Sequence, residues 1–313
     1  AGGLMATRTL QSPPSILPLY ARAAAPMVPG ASLLPFVPGR GKEIPALELE
    51  LPSVLAEAER VAAYSRVCGF ALRDTLPPTY PHVLAFPLQM AVMADGSFPF
   101  GAVGLVHVEN TITQQRPIGL DEELTIRVKP TKLAPHPKGR TFSLQTKVKS
   151  GNRIVWESTS TMLRRGGGNP AADGTKPGHI DTISAHRPPE EPTANAEWKL
   201  GGDLGRRYAA VSGDRNPIHM HSLTAKPLGF PRAIAHGMWT KARCLAALQS
   251  RLPDAFEVGV RFRKPILLPG RVEFISASEG DAIQFAVRDA KRGTPHLDGR
   301  IEPLEAKAKN GRK

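Results

Sequence analysis

The sequence predicts an α+β protein built from two copies of one unit, in which an antiparallel sheet wraps a central helix. Each half of the 313-residue chain contains a short, strongly apolar helical segment. Stretches that alternate apolar and polar residues follow it, as in strands with one buried face. Between the halves lies a Pro- and Gly-rich segment that is typical of a linker. We infer the duplication from this order of elements, because the halves share little sequence.

Composition divides the chain into five segments. Residues 1–52 are rich in proline and show no clear period, which predicts an N-terminal arm packed along the body. The first unit is predicted over 53–165, the linker over 166–196 and the second unit over 197–305. Residues 306–313 form a basic tail.

Periodicity places the individual elements in the same order in both units. In the first unit, helices are predicted over Val54–Val67 and Leu84–Met93, and strands over Gly104–Thr113, Glu123–Thr131, Thr141–Lys149 and Arg153–Arg164. In the second unit, a segment around Leu204–Val211 leads to a predicted apolar helix over Ile234–Leu248. Strands are predicted over Glu257–Pro265, Arg271–Ser278, Ala282–Asp289 and His296–Ile301.

The net charge of +13 first suggests a nucleic-acid binder. However, the excess is spread over two long segments, with 13 basic and 7 acidic residues in 61–165 and 17 and 12 in 197–305. Aromatic residues make up 6% of the chain, so stacking platforms for single-stranded nucleic acid are scarce. The charge therefore favours a small anionic ligand, with nucleic-acid binding as the more remote alternative.

Composition also bears on the compartment. The sequence has two cysteines, Cys68 and Cys244, which excludes a disulfide framework or a cysteine zinc site and predicts two core residues. No run reaches the roughly 18 apolar residues of a membrane span. Prolines interrupt the apolar stretch Ile16–Val37, so we favour an arm there over a secretory signal. The predicted location is cytoplasmic.

One segment of the second unit carries chemistry. Ser212-Gly213-Asp214 and Asn216-Pro217 are turn sequences, so Asp214 is predicted on a loop. His219 follows five residues later, and this loop can turn a carboxylate and an imidazole toward one point as an acid–base pair. His236-Gly237 comes just before an apolar helix, where the free amide of the glycine and the helix dipole can polarise a carbonyl oxygen.

Other interpretations of these residues remain open. Asp214 can simply cap a helix. His219 and His221 with Asp214 have metal-ligand spacing, but no further ligand is evident, so no metal is predicted. His82 precedes the apolar helix of the first unit without a following glycine, which favours a packed or surface histidine and a non-catalytic first unit.

The pattern Tyr-x-x-x-Ser-Gly-Asp-x-Asn-Pro-Ile-His from Tyr208 to His219, followed by Phe230 and His236-Gly237, resembles the signature of MaoC-like dehydratases, the R-specific enoyl-thioester hydratases. The motif covers about residues 208–240. The whole chain is similar to bacterial (3R)-hydroxyacyl-thioester dehydratases with two hot-dog domains. This resemblance implies a double hot-dog fold with a degenerate N-terminal hot-dog.

Carried over to this chain, the resemblance makes Asp214 and His219 the catalytic dyad and the Gly237 amide the oxyanion donor. Ser212 and Asn216 would orient the dyad. Tyr208 would line the pocket. Where the family usually has Asp-Pro after His-x, this chain has Met220-His221-Ser222, which puts the local loop geometry in doubt.

The implied activity is that of a hydro-lyase: reversible dehydration of (3R)-3-hydroxyacyl thioesters to trans-2-enoyl thioesters in fatty-acid metabolism. No cofactor is expected, and the substrate carrier is coenzyme A or acyl carrier protein. Arg215, Arg232 and Lys241 are candidates to bind its phosphates. A monomer with two hot-dogs or a homodimer is expected. The alternative is an acyl-thioester-binding or structural hot-dog subunit that needs a partner for activity.

Overall fold

The computed structural model describes residues 6–25, 41, 43–131, 133–166 and 194–304. Most of the predicted linker, the basic tail and part of the predicted arm lie outside the described residues. In the N-terminal half the elements are β1 (Ala6–Thr9), α1 (Ile16–Ala24), β2 (Leu47–Val54), α2 (Ala58–Cys68), α3 (Tyr80–Met93), β3 (Val106–Gln114), β4 (Leu124–Pro130), β5 (Ala134–His136), β6 (Gly139–Ser150) and β7 (Arg153–Arg165).

The C-terminal half repeats the order of helices followed by strands. Its elements are β8 (Ala194–Leu200), α4 (Leu204–Ser212), α5 (Pro217–Met220), α6 (Ser222–Ala225), α7 (Gly237–Ala247), β9 (Phe256–Phe262), β10 (Gly270–Glu279), β11 (Ala282–Asp289) and β12 (Pro295–Pro303).

Among the described residues, the most buried helix of each half is its central helix, α3 or α7. Helix α3 packs against β2, β4 and β6, and ten of its fourteen residues are buried. The alternation along β4 is regular, with every second residue buried, as period-two patterning requires. The predicted α+β class with two hot-dog units is confirmed.

The sheets of the two halves are joined edge to edge. Strand β3 pairs antiparallel with β9, with Ile112 opposite Val258, and the twelve strands form one continuous sheet. Both central helices contribute to one hydrophobic core, which also contains Cys68 and Cys244. The two halves therefore form one packed unit, and a cavity can draw its lining from both.

The N-terminal arm is more regular than its prolines indicate. Strand β1 pairs in parallel with β2, and α1 follows with Leu19 and Ala23 buried. Pro18 lies in the first turn of α1, where the missing N–H has no helical partner in any case. Strand β2 begins at Leu47 and so crosses the predicted arm boundary at 52/53, and β8 begins within the predicted linker.

Among the described residues, no helix has the length and apolar character needed to cross a membrane.

Candidate active site

The loop after α4 presents Asp214. Helix α4 ends at Gly213, whose φ of 78° lies in the left-handed region that glycine adopts without strain. The Asp214 amide donates to Ser212 Oγ at 3.2 Å, and the Asn216 amide donates to Asp214 Oδ1 at 3.1 Å. These bonds fix the turn and one carboxylate oxygen.

His219 lies on the short helix α5 and is buried. Its Nδ1 is 2.8 Å from the Ile234 carbonyl oxygen, which can only accept a hydrogen bond. The Nδ1 atom therefore carries the proton, which leaves Nε2 of the neutral ring unprotonated and able to act as a base.

His236 is a third member of the cluster, and no role was predicted for its side chain from the sequence. It precedes α7, its Nε2 donates to the Asp214 carbonyl oxygen at 2.9 Å, and Nε2 lies 3.8 Å from Asp214 Oδ2. Its ring stacks on that of His219 with centroids 3.7 Å apart. The Tyr208 ring packs against the His236 ring with centroids 4.8 Å apart. The signal was present in the sequence, since His236 belongs to the same motif.

The protonation states follow from burial and charge. Burial raises the pKa of Asp214, but His236, His219 and the hydrogen bonds to its carboxylate together hold that pKa below its ordinary value. Burial lowers the pKa of His219 despite the opposing effect of Asp214, and it lowers the pKa of His236 to about 3. Near neutral pH the site therefore holds one carboxylate and two neutral imidazoles.

One potential ligand atom from each of Asp214, His219 and His236 lies within 4.8 Å of the others, which is close enough for a metal ion. The predicted metal alternative had named His221 instead of His236. However, stacked imidazole rings direct their in-plane lone pairs side by side, whereas a metal needs them to converge on one point. The geometry therefore suits proton transfer better than metal binding.

Gly237 is the first residue of α7, and it lines the same cavity. Amides in the first turn of a helix have no intrahelical acceptor, so they are available to a ligand at the positive end of the helix dipole. A Cβ at this position would lie 3.0 Å from Cε1 of Phe262. A glycine thus lets the Phe262 ring approach the backbone here.

The residues predicted to support the dyad all lie at the site, and each makes a definite contact. The Ser212 hydroxyl accepts a hydrogen bond from the backbone N–H of Asp214. Asn216 donates to the Asp214 carboxylate from its backbone N–H, not from its side chain. Tyr208 is buried and lines the cavity. Tyr20 of the arm also reaches the site, where its hydroxyl donates to Asp214 Oδ1 at 2.9 Å. No pattern in the sequence links a residue so distant to the dyad.

The cavity extends from the dyad into the N-terminal half. His82 lines it and is buried, so the predicted packed histidine faces the site cavity from the other half. Burial lowers the pKa of His82 to about 4, so its ring is neutral near pH 7. The apolar residues that the N-terminal half adds to the lining are Val83, Phe86, Met93, Leu105, Val106, Leu144 and Met162.

The prediction that Lys241 binds substrate phosphate is wrong. Lys241 is fully buried, and its Nζ donates to Asn110 O, Asn110 Oδ1 and Val258 O at 3.1, 2.6 and 3.0 Å. Its Nζ atom is thus enclosed by protein acceptors where β3 and β9 meet, away from solvent, and burial lowers the pKa of Lys241 well below its usual value. The sequence of α7 alone gives no sign of which face of the helix Lys241 occupies.

The two other predicted phosphate-binding residues, Arg215 and Arg232, are exposed, but the cavity lining found among the described residues does not include them. Three other exposed cationic residues do line the cavity: Arg165, Arg263 and Lys264. Arg263 is paired with Asp298 at 2.5 Å.

The sequence comparisons agree with this geometry. The model of the MaoC like domain family matches residues 184–299. The chain is 36% identical to 3-hydroxyacyl-thioester dehydratase X of Mycobacterium tuberculosis over 274 residues, which is 88% of this chain and 95% of that protein. The chain therefore belongs to the MaoC-like dehydratase family.

The structural comparisons give the same result. The crystal structure of HtdX from M. tuberculosis superposes with a TM-score of 0.71 at 35% identity, covering 82% of this chain and 100% of that one. A second M. tuberculosis protein, described as having a double hotdog fold, matches with a TM-score of 0.51 at 15% identity, covering 81% of this chain and 93% of its own. The latter likeness concerns the fold alone.

Proposed function

We propose that this protein reversibly hydrates trans-2-enoyl thioesters to (3R)-3-hydroxyacyl thioesters. The observation that carries the proposal is one cavity in which Asp214 and His219 lie beside the N-terminus of α7. The family membership and the name of the 36% identical relative support it.

In the hydration direction, the dyad positions a water molecule. The ionised carboxylate of Asp214 and Nε2 of His219 are both hydrogen-bond acceptors, so one water can donate a hydrogen to each. Its oxygen lone pair is then free to attack C3 of the enoyl thioester. As the C3–O bond forms, the dyad takes one proton from the water, and the dyad then delivers one proton to C2. Dehydration is the reverse sequence, and the dyad ends each cycle unchanged.

Gly237 stabilises the charge that develops during this addition. Attack at C3 moves electron density through the double bond onto the thioester oxygen. The Gly237 amide at the N-terminus of α7 can donate to that oxygen without reorganising, because the helix already fixes its direction. We therefore place the thioester carbonyl at Gly237 and the acyl chain along the apolar lining of the N-terminal half.

The experiment that tests this proposal is a hydration assay with enoyl-CoA substrates of four to sixteen carbons. We expect loss of the conjugated enoyl thioester with at least one chain length, without any added metal or redox cofactor. If the purified chain hydrates none of them, the proposal fails, and a subunit that needs a partner becomes the better interpretation. Both hot-dog halves are present in one chain, which supports an active monomer, and the cytoplasmic location stays a prediction.

We also propose that cationic side chains at the cavity bind the substrate carrier. Coenzyme A and acyl carrier protein both present phosphate or acidic groups, and Arg165 and Lys264 approach the cavity from opposite halves. We expect Lys264→Glu to raise the KM for an enoyl-CoA about tenfold, because it replaces attraction by repulsion. The kcat should change little.

Two controls accompany this prediction. The same enoyl group on N-acetylcysteamine lacks the phosphates, so its KM should not respond to Lys264→Glu. Arg232→Glu reverses an exposed charge outside the cavity lining found for the described residues. An equal rise in KM for both variants would contradict a specific role for Lys264.

A further inference from the structure

Tyr20 fixes one oxygen of the proposed catalytic carboxylate. Its hydroxyl donates to Asp214 Oδ1 at 2.9 Å and accepts from the Arg215 amide at 2.7 Å. The Asn216 amide donates to the same Oδ1 at 3.1 Å. Two donors therefore hold Oδ1, while Oδ2 lies 3.8 Å from Nε2 of His236. The carboxylate cannot rotate without breaking both bonds to Oδ1.

The contact is part of a packed helix. Ile16, one turn before Tyr20 on α1, lies against Gly213, where an added Cβ would come within 2.6 Å of Ile16 Cδ1. Leu19 and Ala23 are buried, and α1 packs against α3 of the N-terminal half. Helix α1 therefore contacts the dyad loop at two consecutive residues: Ile16 lies against Gly213, and Tyr20 hydrogen-bonds to Asp214.

The hydroxyl also influences the charge of the carboxylate. Hydrogen bonds donated to a carboxylate favour its ionised form. Burial raises the pKa of Asp214, and the Tyr20 hydroxyl is among the groups that oppose this effect and lower that pKa. The buried hydroxyl itself does not ionise, because burial and the neighbouring Asp214 raise the pKa of Tyr20 far above its usual value. It thus acts only as a neutral donor.

We propose that Tyr20 is a positioning residue for the hydratase reaction, and that helix α1 of the N-terminal arm is part of the active site. The hydroxyl directs Oδ2 of Asp214 toward the reacting water by holding Oδ1. This inference rests on the proposed function, because it concerns the same carboxylate.

Tyr20→Phe tests the proposal, since it removes the hydroxyl and keeps the ring. We expect kcat for enoyl-CoA hydration to fall about tenfold with KM changed less than about twofold, because the carboxylate is displaced while substrate contacts remain. The acid limb of the pH–kcat profile should also move to higher pH. The ionised carboxylate is the active form, and loss of a donor raises its pKa.

Other titratable groups near Asp214 are common to the wild type and the variant, so they do not produce this shift. They are His219 on α5, His236 before α7, Tyr208 on α4, Arg215 on the loop, His82 on α3 and His107 on β3.

Two further variants separate positioning from a general effect on structure. Leu17→Ala changes an exposed side chain of the same helix, 68% of which is accessible, and should leave kcat and the pH profile unchanged. The double variant Asp214→Asn/Tyr20→Phe should be no slower than Asp214→Asn alone, because Tyr20 acts through the carboxylate. An additive loss would overturn the proposal.

The outcomes distinguish this inference from the proposed function. An active wild type whose Tyr20→Phe variant keeps its kcat and acid limb overturns the role of Tyr20 and leaves the function standing. A wild type that hydrates no enoyl thioester overturns both.

Discussion

Asp214→Asn should lower kcat for enoyl-thioester hydration by about 10³-fold, within the range for loss of a general acid–base residue. The substitution is nearly isosteric, so the loop should keep its shape. The donors Tyr20 and Asn216 to Oδ1 should orient the new amide with its oxygen toward them. Its NH2 group would then replace Oδ2, and a donor would stand where the reaction needs a proton acceptor.

Steady-state kinetics with the best substrate of the chain-length series measure this effect, and an unfolding midpoint close to that of the wild type shows that the fold is intact. Asp281→Asn is the matched control, because Asp281 is exposed in the turn between β10 and β11 of the same half. An Asp214→Asn enzyme with a near wild-type rate would remove Asp214 from the mechanism.

Lys241→Met should lower the free energy of unfolding by about 3 kcal/mol or more. Nζ of Lys241 lies within hydrogen-bond distance of three buried acceptors, two on Asn110 and one on Val258. Without it these acceptors lose a partner in the interior, at about 1–3 kcal/mol for each buried group left unsatisfied. Since Asn110 lies on β3 and Val258 on β9, the loss falls on the strand pair that joins the two halves.

Denaturant unfolding followed by circular dichroism measures this difference. Lys226→Met removes an exposed ammonium from the same half and should change the free energy of unfolding by less than about 0.5 kcal/mol. Equal stability of the Lys241→Met and wild-type proteins would show that the hydrogen bonds of Lys241 do not stabilise the junction.

Local sequence determines the dyad loop, and so the sequence alone predicts it well. Asp214, Asn216 and His219 are close along the chain, and turn residues with a short helix suffice to bring them together. Period-two alternation likewise predicts β11, Ala282–Asp289, with its observed bounds. In both cases the sequence pattern and the structure that it predicts involve residues that are close along the chain.

The features that the sequence missed depend on long-range packing. Tyr20 contacts Asp214 only because α1 packs on α3. The prolines of the arm argue against a helix there, so the nine-residue α1 is not predicted from the sequence. Lys241 is buried because Asn110 and Val258 provide acceptors from two different halves. The pairing of β3 with β9 follows from how the halves dock, and side-chain alternation carries no information on which strand is the neighbour.

The most direct test of the central claim is the configuration of the product. Wild-type protein is incubated with a trans-2-enoyl-CoA, and the 3-hydroxyacyl-CoA formed is resolved by chiral chromatography, with Asp214→Asn as the blank. A single face of the enoyl group meets the dyad when its thioester oxygen is held at Gly237, so one enantiomer is expected. The resemblance to R-specific hydratases makes the expected product (3R). A (3S) or racemic product, or equal turnover by the Asp214→Asn blank, would contradict it.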